Sequence, residues 1–525
     1  MKTTKTKYSL NPSLGMLIAG FLLVQGCAKD LGNYSYQDIN ELEINNWQDN
    51  YSALTDVDTL RISPTFSSTF NINDSTNYDF RWVLKEGAFK QDTIGRAGHL
   101  NFPVKIPTGN YTLQYRITDK NTGIVFFKLA NLTIGTPYNR GILLTGEDKQ
   151  GNAEAAMLSM IKDTVYMDAM IKNSGINKTL KGPKHFFYGA GIYEGHKLMW
   201  FTSESGSYYL DRKTMKSSPS STLSNFLLPT DPINVQQEYL EIMAPQIIDN
   251  IGKTGDESYK VVLTNTGNIY TTYTSLSSGM FYNPVNRVSN NFEKLLPAAP
   301  YLMYPIGSMS TMMWYDRTND QFMAITALLG MDRSTYPADK AGDPFSWNAQ
   351  SEGKKLRYAE NTFNKDGGFN NGNTFAIVKN DAGRCNIYKF HARGSNPVKL
   401  ANYAVKAIAV NFDQAEQYAF SSTRTVVFYT YQNKLYAYDY NPGNERMYEL
   451  DLFAGKEITM IKFDTQQNPT QNSLYVATYD PTNDGTLQRF VLDADPNTVK
   501  LNPVPDAKWE KLIRIKDVNW KAERY

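Results

Sequence analysis

Apolar and polar residues alternate with a period of two along most of this chain, a period that belongs to strands rather than helices. Residues 78–84 (YDFRWVL) alternate around Trp82, a large candidate for burial. Residues 110–119 (NYTLQYRITD) repeat the pattern, a polar turn follows at 120–123, and the chain returns at 124–134 as IVFFKLANLTI. Two alternating runs about a short polar turn predict an antiparallel hairpin. Roughly 100 residues of such segments, at 33–136, suit a small immunoglobulin-like β-sandwich. Between residues 60 and 75 the alternation weakens, and strands are placed there only loosely. Pro137 then separates two strand runs, a reasonable domain boundary.

From Gly141 a different rhythm recurs: an apolar strand, a tight turn rich in Asn, Asp or Gly, and a second strand carrying tyrosine. Copies lie at 197–211 (KLMWFTSESGSYYLD), 259–273 (YKVVLTNTGNIYTTY), 311–325 (TMMWYDRTNDQFMAI) and 374–390 (TFAIVKNDAGRCNIYKF). Two more stand at 426–440 (VVFYTYQNKLYAYDY) and 473–492 (SLYVATYDPTNDGTLQRFVL), and 142–160, leading into DTVYMDAM, fits as the first. Hairpins recurring every roughly 45 to 65 residues predict a β-propeller over 140–525. Seven blades fit best, with eight as the main competitor and a second sandwich or a barrel as the other all-β reading. Radial closure protects sheet edges without disulfides or metals. Residues 508–520 (KWEKLIRIKDVNW), flanked by Trp509 and Trp520, are the candidate closing strand. The polar, glycine-punctuated stretch 341–371 reads as an elaborate surface loop.

The longest apolar run, 14–24 (LGMLIAGFLLV), breaks the alternation and follows Lys2, Lys5 and Lys7. It is too short to span a bilayer as an ordinary transmembrane helix, and it has the build of an export signal. Val24 and Gly26 stand where a lipobox needs an aliphatic and a small residue before Cys27, with Gln25 a tolerable departure. The expected result is a lipoprotein signal at 1–26, acylation of Cys27 and a lipidated tether at 27–32. An ordinary secretory signal with an accidental cysteine is the competing reading. No second apolar run of transmembrane length appears, so the lipid is the expected membrane anchor.

Composition narrows the function classes. With 35 tyrosines and 26 phenylalanines the chain is rich in strand-forming aromatics. A net charge of +2 gives no electrostatic footprint for nucleic acid. Only Cys27 and Cys385 are present, so an internal disulfide is not expected, and Cys385 reads as a packed core thiol. His99, His185, His196 and His391 lack the spacing of a zinc helix, and no metal or cofactor site is expected. There is no GxSxG elbow, P-loop or dinucleotide fingerprint. The aspartates of 316–320 (DRTND) and 480–485 (DPTNDG) read as turn formers, with a bound cation the competing reading. No catalytic residue is assigned. Aromatics are the remaining binding candidates: Trp200, Trp314 and Tyr315 within hairpins, and Trp347 in the long polar loop. Filling space between blades is the competing role for the hairpin rings.

CAKDLGNYSY at 27–36, NYTLQYRITDKNTG from Asn110 and RGILLTGED from Arg140 together resemble the PKD-like lipoproteins of Bacteroidetes nutrient-uptake loci. The resemblance covers the signal and the N-terminal region well and the later repeats by rhythm. It implies a lipid-anchored outer-membrane protein, facing the cell exterior, accessory to a SusC-like TonB-dependent transporter and its SusD-like lipoprotein. It further implies capture or handling of peptides or glycans. Ala28, Lys29 and Asp30 depart from the acidic run that often follows the cysteine of surface-exported members. The resulting expectation is a non-enzymatic binding or docking subunit; the alternative is a propeller-based glycan or peptide hydrolase or lyase.

Overall fold

The computed structural model describes residues 39–523 apart from 71–73, 190, 249–257, 278, 289–293 and 330–332. The signal 1–26, Cys27 and the tether 27–32 lie outside the described residues.

Strands dominate both regions. In the first, a five-stranded sheet runs in the order Asn50–Leu54, Val125–Gly135, Gly109–Asp119, Tyr78–Glu86, Lys90–Gly95. Its pairings are antiparallel except that Asn50–Leu54 runs parallel to Val125–Gly135. Two short pairs, Leu42–Asn45 with Thr65–Ser68 and Thr59–Ile62 with Leu100–Pro103, complete a PKD-like sandwich. The hairpin expected at 110–134 is present, and Asp119 Oδ1 accepts the Asn121 and Thr122 N–H groups to shape its turn. Trp82 is fully buried, as its alternating strand requires.

Among the described residues the second region is a succession of seven small antiparallel sheets. The seven predicted hairpins form strands Arg140–Glu147 with Ala153–Ser159, Leu198–Ser203 with Gly206–Asp211, Tyr259–Thr264 with Ile269–Tyr273, and Met312–Asp316 with Gln321–Ile325. The series continues with Asn373–Asn380 and Cys385–His391, Val426–Tyr431 and Lys434–Asp439, and Leu474–Asp480 and Asp484–Leu492. Each hairpin belongs to a different sheet. Core clusters join the first sheet to the second, the second to the third, and so on to the seventh. A further cluster joins the seventh to the first, with Tyr475 and Leu487 packed with Leu144 and Trp520. The last strand, Arg514–Ala522, pairs with Arg140–Glu147 in the first sheet, so chain ends 367 residues apart meet through Arg514 Nη1 and Glu147. This order of sheets resembles a propeller.

One segment departs from its expected loop character. Within 341–371 the chain forms a nine-residue strand, Lys354–Thr362, at the edge of the fifth sheet. Its sequence, KKLRYAENT, is polar because only part of each face is covered by a neighbouring sheet. Alternation is faint where both faces are half-covered.

Candidate functional site

The strands that precede the hairpins create the site. Pro183–Gly189, Leu240–Ala244, Lys354–Thr362 and Glu457–Phe463 each form one edge of their sheet, as does Arg514–Ala522 in the first. In the fourth sheet the same edge is made by an irregular segment in which Met303 bridges to Met313. These edges face a common cavity of about 250 Å³, lined from six of the seven sheets. Its apolar wall includes Phe187, Ile242, Met243, Tyr301 and Tyr304; its polar groups include His185, Glu360, Lys462 and Asn519.

A compact polar cluster occupies one side. Buried Asp517 accepts from Lys462 Nζ at 2.8 Å, lies 2.7 Å from His185 Nδ1, and accepts from Asn519 Nδ2 at 2.8 Å. Burial alone would raise its pKa, but the Lys462 and His185 charges and hydrogen bonds hold the carboxyl well below the usual carboxylate range. Lys462 also donates to the Val518 carbonyl and to Asn519 Oδ1. Alternation puts Asp517 and Asn519 on one face of their strand, and pairing with Arg140–Glu147 fixes that face toward the cavity.

Glu360 arrives from the fifth sheet. Its Oε2 accepts the Phe420 N–H at 2.8 Å and the Tyr358 hydroxyl at 3.2 Å. It lies so deep that desolvation pushes its carboxyl up to about 7, against the opposing pull of those bonds and of Lys462. Its remaining exposed surface is the cavity's own. Two carboxyl groups in one site thus have environments that move them in opposite directions, Asp517 toward permanent charge and Glu360 toward titration near neutrality.

The aromatic candidates sit elsewhere. Trp200 is buried between the second and third sheets, in edge contact with Tyr209 and Phe226. Trp314 is fully buried and donates from Nε1 to Ser334 Oγ at 2.8 Å. The buried Tyr315 hydroxyl accepts the Leu356 N–H. Trp347, expected on a surface loop, is 2% exposed and packs among Phe322, Phe345 and Phe390. Its loop is drawn down by Lys399, whose ammonium lies 5.0 Å from the Trp347 ring and pairs with Asp339 and Asp343. None of the four lines the central cavity. Cys385 is buried, and desolvation raises its thiol to about 11. Asp316 and Asp480 accept N–H groups within their own turns. Among the described residues no cluster of three His, Cys, Asp or Glu side chains could hold a metal ion.

A sequence signal for the cavity is a polar residue inside an otherwise strand-forming segment at a sheet edge. His185 in PKHFFYG, Lys462 in MIKF and Asp517 in IKDVNW share it, whereas Glu360 stands in the more polar RYAENT.

Residues 27–182 match the PKD-like family. The match runs through the sandwich and the first hairpin of the second region. No curated protein matches the chain. Among solved structures, a quinonprotein alcohol dehydrogenase-like protein from Bacteroides thetaiotaomicron is similar at 14% identity and a TM-score of 0.33, over 89% of this chain and 96% of that one. Apo AztD from Citrobacter koseri is similar at 10% identity and a TM-score of 0.31, over 85% and 100%. The extracellular domain of a one-component system from Bacteroides thetaiotaomicron aligns at 9% identity and a TM-score of 0.35, over 89% and 56%.

Proposed function

We propose that this chain is a lipid-anchored binding subunit of an outer-membrane nutrient-uptake complex, and that its seven sheets close into a propeller whose central cavity takes the ligand. The cavity carries this reading: apolar walls with a few converging polar groups are the usual build of a small-molecule site. The anchor is Cys27, the sandwich at 33–136 lifts the propeller at 140–525 from the membrane, and the outer membrane is the location. The partners are a SusC-like transporter and a SusD-like lipoprotein, with a peptide or oligosaccharide delivered between them. Support comes from the lipobox, the PKD-like match and the pairing of the last strand with the first sheet.

Pull-down of the transporter in mild detergent is expected to recover this chain in fixed stoichiometry, and Cys27→Ser to abolish both palmitate labelling and recovery. Consistent absence from the complex would sink the reading. A hydrolase or lyase is the second reading, favoured by one observation: Glu360 and Asp517 belong to different sheets and are tuned apart as an acid–base pair would be. Turnover of a peptide or glycan that Glu360→Gln abolishes would decide for it.

A further inference from the structure

We propose that the central cavity binds an organic cation, a primary ammonium or guanidinium group of the kind carried by basic peptide side chains, through the Glu360 carboxylate. This rests on the reading of the cavity as a ligand site and names the chemistry of its occupant.

The charged donor of the cavity wall and several amide protons are already engaged. Lys462 has three ammonium protons, and Asp517 Oδ1, the Val518 carbonyl and Asn519 Oδ1 accept them. The two amide protons of Asn519 go to the Phe186 carbonyl and Asp517 Oδ2. Gln246 donates to Thr465 Oγ1, Gln466 to the Ile247 carbonyl and Asn361 to the Leu302 carbonyl. Open acceptor capacity stands beside the neutral donors that remain. Both protein donors to Glu360 use Oε2, so Oε1 is left for a ligand. Asp517 is held ionised and can only accept, so the His185 Nδ1 carries a proton and donates it there. The Tyr304 hydroxyl accepts the Gln246 N–H and keeps one proton, suited to a neutral acceptor on the same ligand.

Charge points the same way. Among the described residues Lys462 is the one Lys or Arg lining the cavity, and Asp517 neutralises it; among them the Glu360 carboxyl has no cationic partner at hydrogen-bond distance. The titratable groups that act on Glu360 are Tyr358 on its own strand and Lys462 on the seventh sheet. An anion entering here would meet a lone carboxyl and no free donor cation. An ammonium would neutralise that carboxyl, and the Phe187, Tyr301 and Tyr304 rings of the wall suit a cation. Size narrows the ligand further. At about 250 Å³ the cavity falls below the roughly 300–1,000 Å³ of drug-sized sites, which fits one side chain or a small amine rather than an oligosaccharide.

Calorimetric titration of the full chain in mild detergent tests this with three probes of similar size: n-butylammonium, 1-butanol and butyrate. N-acetyl-lysine methylamide and N-acetyl-arginine methylamide serve as a second arm, separating a peptide side chain from a free amine. The cationic probes are expected to bind about tenfold or more tighter than the neutral and anionic ones, and Glu360→Gln to erase the difference. Affinity for the ammonium is expected to rise about tenfold from pH 6 to pH 8 as Glu360 ionises. That series uses the wild-type chain, so it decides the matter even where the variant fails to fold. Equal or tighter binding of butyrate or butanol, or a flat pH series, overturns the cation and leaves the cavity a ligand site. Silence of every probe overturns the cation and the cavity together, while recovery with the transporter still judges the uptake role.

Discussion

The sandwich gathers its large side chains into one core, whereas the seven-sheet region divides its own among seven clusters and leaves a mostly apolar cavity with a few polar groups where its inner edges meet. In the sandwich, Trp82 stacks on Tyr115 at 4.3 Å and on Trp47 at 6.0 Å, and its Nε1 donates to the Ala97 carbonyl. Its buried Asn40 is satisfied locally, accepting from Ser68 and donating to Tyr78 and Asp119. In the seven-sheet region the polar groups are satisfied across sheets: His185 and Asp517 lie 332 residues apart in sequence. Two layers packed face to face have no place for a shared interior cavity. Sheets packed side by side expose one edge each to a common centre, and residues there answer to several neighbours at once. The first arrangement closes on its own core, and the second leaves a cavity between its sheets.

The sharpest way to break the comparison is to empty the single core. Trp82→Ala removes a ring packed on all sides and is expected to cost about 3–5 kcal/mol. Calorimetric unfolding would show the loss in the sandwich transition alone; an equal fall in the transition of the seven-sheet region would mean the two regions unfold as one unit.

Asp517→Asn strikes the other region at its centre. It leaves the Lys462 ammonium without its carboxylate and is expected to cost about 3 kcal/mol, since breaking a buried pair strands the other charge. The native carboxyl is held low, so its stabilisation is present at neutral pH and drains away as pH falls below the ordinary carboxylate range. Urea melts at pH 7 and pH 3 would show the variant's deficit at its full size at the first and only partly reduced at the second, since the folded carboxyl is still ionised there. A deficit in the sandwich transition would contradict the partition.

Much of this contrast could be read in the chain. Hairpins announce themselves because both partners are close in sequence and half-buried, which is why YDFRWVL, NYTLQYRITD and the seven later repeats fall on observed strands. The site was hidden for the opposite reason. Its residues come from edge strands up to hundreds of residues apart, and the fourth sheet contributes an irregular segment with no period to detect. Trp347 illustrates a related blind spot: a polar loop can still carry a core residue when ion pairs such as Lys399 with Asp339 and Asp343 pin it to a seam between sheets.

Glu360→Gln sharpens the comparison more gently. A carboxyl raised from its ordinary value of 4.5 to about 7 favours the fold most below about pH 4.5, and that contribution is lost as pH rises through about 7. Between pH 5 and pH 8 the native seven-sheet region is expected to lose about 1–2 kcal/mol, a figure reduced for solvent in the cavity. The glutamine variant would hold nearly constant over the same range. Parallel curves would show that Glu360 is no more desolvated than a surface carboxyl.

The smallest effect is expected where the two regions touch. Lys162, at the turn after the second strand of the first sheet, pairs with Asp58 of the sandwich at 2.6 Å. Asp58 also accepts the Leu54 N–H, and these bonds hold its carboxyl below the usual range despite partial burial. Lys162 is 54% exposed, so water and salt screen the pair and its side-chain entropy opposes it. Lys162→Ala is therefore expected to change stability by about 0.5 kcal/mol or less, with the difference vanishing at high salt. Asp58→Ala would cost more, because it also leaves the Leu54 N–H without its acceptor, and that loss would survive high salt. A Lys162 effect as large as that of Asp58 would mean the contact locks the regions together rather than resting between two independently stable bodies.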